Sequence, residues 1–565
     1  MKKLISFILV FTMLFAVMSP LASATGDKVK DPTPIVYIRG NGEPIYDETG
    51  DEIPVEFADL FDKSIVPEEE GISREKIIET SVNILLPFLA EGLLMDEWDN
   101  YSKAIYDEIS PLFEKAALDG DGNPKYGTGV SPEALAKSEY NAANIDFKET
   151  KGYYGLGQYD FCYDWRLSPY DHVDRLHEYI LTVMKTTNSD GICIDARCLG
   201  GSLLHAYLDT YGHLGHVKRV FYSEVLANGS AYVSQCFSGK FTFDAQHMQI
   251  YLNHMEANNM IELSELASDI AKTTIDLFVQ TNVLGTVLGG VEDLYGKLYQ
   301  ALMPALLLST GMATMPNYWA CVYEEDMDQA LDLIFGKEGT ETREEYAGAI
   351  EKIQRYRKNI TSDLTGFYDR ISKEYNIGVG VLAKYGYLSM PIIEDYDELS
   401  DTLIGLKDAS FGATCSTATT TLSDEYIESR IAENPENAKY ISPDRMVDLS
   451  TCYFPETTWI VKNSVHATSS TFDNLSVHFL SYKNMTVHND SRVAQFSMYN
   501  QKGTAANCYT VPMTEENCAS FEWLNVVEES PTLETKLASF MKWLTTILNF
   551  FAKLFRGEIS LGGDK

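Results

Sequence analysis

The chain has 565 residues, 45% of them hydrophobic and 12% aromatic, which excludes global disorder and allows one large domain with insertions or two or three smaller ones. Its 82 acidic against 45 basic residues give a formal charge of −37, a field that repels nucleic acid, does not favour anionic membranes and suits an extracellular medium. Nine cysteines, at 162, 193, 198, 236, 321, 415, 452, 508 and 518, are compatible with an exported protein, and the odd count leaves at least one thiol free or paired between chains.

The first segment reads as an export signal. Lys2 and Lys3 precede an apolar run from Leu4 to Val17, and Ala22-Ser23-Ala24 supplies the small residues at which a signal peptide, residues 1–24, is cleaved. The apolar run is short for a spanning helix of ~20 residues. The expected location is therefore secreted, at most associated with the envelope or a membrane surface.

Residues 25–254 read as the first part of an α/β core. Pro34-Ile35-Val36-Tyr37-Ile38 runs into Arg39-Gly40-Asn41-Gly42, an apolar strand ending in a tight loop. A helical stretch follows around Ile77–Leu94. Tyr159 to Leu167 predicts a strand opening into a polar turn. Val173, Leu176, Tyr179, Ile180 and Val183 recur at helical spacing within 171–186. Gly191-Ile192-Cys193-Ile194-Asp195 predicts a further strand, and Leu203–Tyr211 the helix after it. Strands alternating with helices argue for a mostly parallel sheet flanked by helices.

From 255 to 375 the pattern turns almost wholly helical. Its apolar stretch from Leu277 to Met312 holds Glu292, Asp293 and Lys297 and so is not a clean membrane span. It reads as a buried helical subdomain and, in function, as a cap or lid over an apolar site. The core resumes over 376–530, with sheet-like segments at Pro391-Ile392-Ile393 and Thr458-Trp459-Ile460-Val461. Residues 536–556 place Leu537, Phe540, Met541, Leu544, Ile547, Leu548, Phe551, Leu554 and Phe555 on one half of a helix and Lys542, Lys553 and Arg556 on the other. Such an amphipathic helix lies on a lipid surface or binds a protein partner, or else docks on the core.

The chemistry concentrates at Ala196-Arg197-Cys198-Leu199-Gly200-Gly201, between an apolar strand and a helix. That is the setting of a nucleophile elbow, where a strained backbone demands small residues two before and two after the nucleophile. Ala196 and Gly200 meet the demand. A helix N-terminus below Cys198 favours its thiolate, an intrinsically strong nucleophile. The backbone N–H of Leu199 would stabilise an oxyanion, with Asn41 as the best-placed second donor. Ser202, one helical turn further on, lacks the small-residue frame. The acid and histidine of such a site follow the nucleophile in that chain order, an order that Cys198, Asp401 and His466 satisfy; His466 directly follows an apolar strand, His478 reads as a core or strand position, and Asp490 and His488 are the runners-up. Asp164 and Arg166 read as a structural ion pair. There is no CxxC pair and no HExxH, so no metal or cofactor is expected.

These segments together resemble the lecithin:cholesterol acyltransferase-like lipases and acyltransferases of the α/β-hydrolase superfamily. Residues 34–42 are similar to the family's first strand and oxyanion loop. Tyr163-Asp164-Trp165-Arg166 looks like its Tyr-Asp-Trp-Arg signature. Residues 196–201 resemble its Gly-His-Ser-Leu-Gly-Gly elbow, with Ala196, Arg197 and Cys198 at the three departures. Ser400-Asp401-Thr402-Leu403-Ile404 and Thr458 to His466 resemble the segments carrying acid and histidine. The resemblance implies an α/β-hydrolase fold with a helical lid and a Cys198–Asp401–His466 triad. It implies a secreted acyl-ester hydrolase or O-acyltransferase acting on a lipid or other acyl ester. Cysteine in the serine position leaves two alternatives open: a catalytically impaired scaffold that binds lipid or a partner, or an envelope protein tethered by its terminal helix. Cys198 is expected to be a free thiol, with Cys415–Cys452 and Cys508–Cys518 as candidate disulfides.

Overall fold

The computed structural model describes residues 33–518 apart from 41–43, 56–82, 127–128, 152–153, 491, 501 and nearly all of 243–291; between 83 and 96 only scattered positions are described. The signal segment, most of the expected 77–94 helix, the first part of the expected cap and the 536–556 tail lie outside the described residues.

Eight strands form the main sheet. They are β1 (Ile35–Ile38), β2 (Tyr159–Asp160), β3 (Ile192–Cys198), β4 (Val217–Val225), β5 (Gly378–Tyr385), β6 (Thr458–Lys462), β7 (Phe496–Tyr499) and β8 (Thr510–Pro512). Their spatial order is β8-β7-β6-β5-β4-β3-β1-β2, parallel throughout except for the antiparallel β7–β8 pair. The fold is therefore α/β with a large, mostly parallel sheet. Strand β4 pairs with β5, so the segments before and after the long helical insertion build one sheet.

Side-chain alternation explains the layers. Ile35, Cys193, Phe221, Leu382 and Trp459 enter the core on one face, while their neighbours Val36, Ile194, Tyr222, Val381 and Ile460 enter the core on the other. Both faces are covered, as a parallel sheet requires. Helix α1 (Asp99–Ile109) packs with α4 (Glu292–Ser309) in a separate small cluster. Helix α2 (Val173–Thr187) buries Leu176, Ile180 and Val183 completely, each contributing up to roughly 1.5–3 kcal/mol. It ends where Asn188 turns left-handed at φ 50°. Helix α3 (Gly200–Tyr211) follows β3 directly. Within 312–374, Trp319, Phe335, Ile353 (on α5, Ala347–Asn359) and Phe367 join the same core as α2 and α3. On the opposite face α6 (Asp473–Ser481) contributes Leu475, Phe479 and Leu480.

The 159–167 segment is strand at Tyr159–Asp160 and then opens into the polar turn that holds the Asp164–Arg166 pair. One expected strand differs. Pro391–Ile393 contributes a single bridge from Ile393 to Phe241.

The chain leaves β1 toward β2 on one side and returns across β1 to β3 on the other. Loops after β1 and β3 thus part in opposite directions, and the crevice beyond their carboxyl ends is where open α/β sheets bind ligands. Cys198 ends β3, and Arg39-Gly40 follow β1.

Candidate active site

Cys198 is the last residue of β3 and has φ 49°, a conformation that costs a non-glycine residue energy and persists only when surroundings enforce it. Three glycines let the backbone do this. A Cβ on Gly200 would come 2.5 Å from the Ile38 carbonyl oxygen and 2.7 Å from that of Arg39. One on Gly40 would come 2.5 Å from the Cβ of Cys198 and 2.9 Å from the Leu199 backbone nitrogen. One on Gly201 would meet Val225 at 2.7 Å. The loop after β1 therefore lies directly against the turn that presents the thiol. Cys198 is 8% exposed.

Leu199 occupies the N-cap position of α3, so its N–H belongs to the positive end of that helix. Asn41, the expected second oxyanion donor, lies outside the described residues. Arg197 points away from the thiol. It forms an ion pair with Asp195 at 3.3 Å, bonds Asp473 of α6, and lies 5.0 Å from the centroid of the Tyr37 ring. Burial pushes the Asp195 carboxyl up to about 6 against the opposing pull of Arg197.

The structure brings the other two expected residues together with Cys198. His466 opens the turn after β6, and its Nδ1–H donates to Asp401 Oδ2 at 2.8 Å. Its ring is also hydrogen-bonded to the Cys198 side chain. The other carboxylate oxygen, Oδ1, accepts the backbone N–H groups of Leu403 at 3.1 Å and Ile404 at 2.8 Å. Thr402, at φ 88°, turns the loop so that both N–H groups reach it. Burial opposes charge on His466. The Asp401 carboxylate, with Cys198, nevertheless raises its pKa well above the usual histidine value. Burial likewise pushes the Asp401 carboxyl up, but His466, and after it Lys384 and the Ile404 N–H, hold it below the ordinary carboxylate value. Cys198, His466 and Asp401 thus form a connected line, an arrangement that would suit a nucleophile, a base and an acid.

The alternatives are placed elsewhere. His488 contacts Glu456 at 3.1 Å, and Asp490 contacts Arg492 at 3.4 Å. His478 lies on α6 with its ring 4.3 Å from that of Tyr482, so it is helical. Ser202 is buried in α3 and bonds the Leu199 carbonyl at 2.6 Å and Asn317. Asp164 and Arg166 pair at 2.7 Å in the interior, and Arg166 also donates to the Ala116 carbonyl at 2.9 Å, a structural tie as expected.

All nine cysteines are free thiols, Cys198 among them, and neither expected disulfide is formed. Cys508 packs in the core on one face of the sheet and Cys518 against the core on the other. The Cys415 thiol turns to the Ala413 carbonyl and that of Cys452 to Thr458.

Sequence reasoning missed Lys384 and Glu224, an ion pair at 3.0 Å behind the histidine. The available signal was a charged residue inside each of two mostly apolar runs, Val379 to Tyr385 and Val220 to Val225.

Among the described residues no three His, Cys, Asp or Glu side chains gather as metal ligands, and no helix is long and apolar enough to cross a membrane. A cavity of about 320 Å³ adjoins the elbow through Arg39 and Gly40, with Tyr46, Lys137, Asp160 and Tyr163 in its wall. Compared with protein-family models, curated proteins and solved structures, the chain matches none.

Proposed function

We propose that this chain is a secreted acyl-transfer enzyme of the α/β-hydrolase type, working through a thioester on Cys198. The observation that carries the reading is His466, bonded through Nδ1 to Asp401 and by the same ring to Cys198, with Cys198 on a strained strand-to-helix turn. The resemblance to lecithin:cholesterol acyltransferase-like enzymes adds the substrate class, a lipid or other acyl ester.

The reaction follows from these residues. The Cys198 thiolate attacks the ester carbonyl carbon while His466 holds the proton. Negative charge then develops on the carbonyl oxygen, where the Leu199 N–H and, from the loop after β1, that of Asn41 would stabilise it. The carbon–oxygen bond breaks as His466 returns its proton to the leaving alkoxide, which departs as an alcohol. The acyl group remains as a thioester. Water, or a second alcohol in a transferase, then gives its proton to His466 and attacks the thioester, releasing acid or new ester and restoring Cys198. Asp401 stays ionised and orients the imidazole. Residues 255–375 would cap an apolar acyl site, and residues 536–556 would hold the enzyme at a lipid surface or a protein partner.

The test is a screen of acyl esters of graded chain length on the chain lacking residues 1–24, beside Cys198→Ala. Turnover, together with an acyl adduct on Cys198, both absent in the variant, is the expected result. Hydrolysis that survives Cys198→Ala, or neither turnover nor adduct at any chain length, would overturn the proposal.

A further inference from the structure

Lys384 and Glu224 lie on the neighbouring strands β5 and β4, both side chains wholly buried, with Nζ 3.0 Å from Oε1. Lys384 Nζ also donates to the Val465 carbonyl at 2.7 Å and to the His466 carbonyl at 3.1 Å. It thus grips the backbone that carries the base, and its charge helps keep Asp401 ionised. Nζ lies 5.5 Å from the centroid of the Phe472 ring, which ends the same turn.

Glu224 reaches the pair from the nucleophile's side. It has φ 48° and immediately precedes Val225, the residue that pairs with Cys198 across β3 and β4. The next residue, Leu226, donates its N–H to the Cys198 carbonyl at 3.2 Å. One buried charge pair therefore joins the segment beside the thiol to the loop that holds the imidazole. Stability alone does not account for it. Removing two charges from water costs about what their attraction returns, and apolar replacements of similar volume are often neutral or better. Holding a catalytic group in place by a fixed second layer of contacts is a use that fits both ends of the pair.

We propose that Lys384 is a positioning residue for His466, with Glu224 as the counter-charge that keeps it in place beside Cys198. The proposal rests on the acyl-transfer reading, and the experiment separates the two. The probe is iodoacetamide on the full chain, with alkylation at residue 198 followed by peptide mapping from about pH 5 to about pH 9. The site reading requires alkylation of Cys198 at about pH 6 to depend on the imidazole beside it, so that His466→Ala abolishes that low-pH reactivity. If His466→Ala changes nothing, the catalytic reading itself fails and this proposal with it.

Where that dependence on His466 holds, Lys384→Met is expected to slow alkylation at about pH 6 by roughly tenfold, because the imidazole is no longer held to the thiol. Glu224→Gln keeps the shape and removes the counter-charge of Lys384. It is expected to slow alkylation at about pH 6 in the same direction as Lys384→Met but by less, about threefold, because Lys384 loses the partner that holds it against the His466 turn. Arg166→Met, which breaks another buried pair, one tied to the Ala116 carbonyl rather than to His466 or Cys198, should lower the melting temperature without moving the profile. Wild-type profiles for both site variants, whatever their melting temperatures, would show a merely structural pair and overturn the proposal. If Lys384→Met does not fold, the Glu224→Gln profile decides alone.

Discussion

His466 and Asp401, 65 residues apart in the chain, are joined twice: imidazole Nδ1 lies 2.8 Å from Asp401 Oδ2, and the His466 backbone N–H donates to the Asp401 carbonyl, also at 2.8 Å. The backbone bond sets where the loop sits, and the side-chain bond sets how the ring is turned. Nδ1 carries the proton that faces the carboxylate, which leaves the rest of the ring to the thiol.

Asp401→Asn tests the side-chain half of this link. The backbone bond survives and the fold should persist, but the amide carries no charge to stabilise an imidazolium. Turnover of the best ester is expected to fall by about 10²–10³-fold, with most of the loss in kcat, since proton transfer through a positioned base contributes on that order. Steady-state kinetics on the purified variant measure it. A change of less than about threefold would remove Asp401 from the mechanism.

The same link makes stability depend on pH in a direction that can be worked out. The folded His466 pKa is raised well above the unfolded value, so folding takes up a proton there. Its contribution is fully present below the unfolded pKa of about 6.5 and is lost as pH rises through the higher folded value. His466→Ala removes that contribution. The melting temperature gap between wild type and variant should therefore be largest near pH 6 and shrink toward about pH 10. Calorimetry at both ends reads the difference. A gap that widens with pH would mean that His466 is held neutral.

Much of the site was legible because its demands are local. Small residues at 196 and 200 follow from the crowding around a strained Cys198, and the Ile38 and Arg39 carbonyls are the atoms that enforce it. Strand β4 was not legible, since Lys218, Arg219 and Glu224 break its apolar run. Arg219 reaches the Leu480 carbonyl at 3.0 Å and Glu224 reaches Lys384, satisfactions that depend on partners far along the chain. Strand β5 hides for the same reason. Gly378, Gly380 and Lys384 argue against a central strand, yet a Cβ on Gly380 would come 2.7 Å from both Phe221 and Phe479, so only glycine leaves room there. Asp401 was readable by chain order, whereas its backbone donors depend on the left-handed turn at Thr402.

Gly200→Ala probes the elbow directly. The added methyl would meet two backbone oxygens, which cannot rotate away as a side chain would. Relief requires β1 and the start of α3 to move apart, at a cost of about 1–3 kcal/mol typical of overpacking. The expected outcome is a lower melting temperature and loss of iodoacetamide reactivity at Cys198 at about pH 6, with the other thiols unaffected. Gly40→Ala should lose that reactivity at a similar cost to stability, because its methyl would meet the Cys198 Cβ, which the backbone fixes, and the Leu199 backbone nitrogen. Unchanged labelling in both variants would mean that the turn is not under the constraint described.

The last expectation concerns residues 536–556, which lie outside the described residues and whose role rests on pattern alone. Large apolar side chains fill one half of the helical projection and basic or neutral ones the other, and no acidic residue falls between Lys536 and Arg556 in a chain that is otherwise strongly acidic. Spanning a membrane would bury Lys542 and Lys553 at ~2.5–3.5 kcal/mol each near the centre. Lying flat, the same lysines face headgroups or solvent. Phe540, Leu544, Ile547 and Phe551 then contribute up to roughly 1.5–3 kcal/mol each on full burial, enough for reversible attachment. Deleting the segment should abolish sedimentation with vesicles, or capture of the partner, while hydrolysis of a soluble short-chain ester by the rest of the chain stays within about twofold. If the deletion unfolds the protein instead, the helix is part of the core and the attachment idea is wrong.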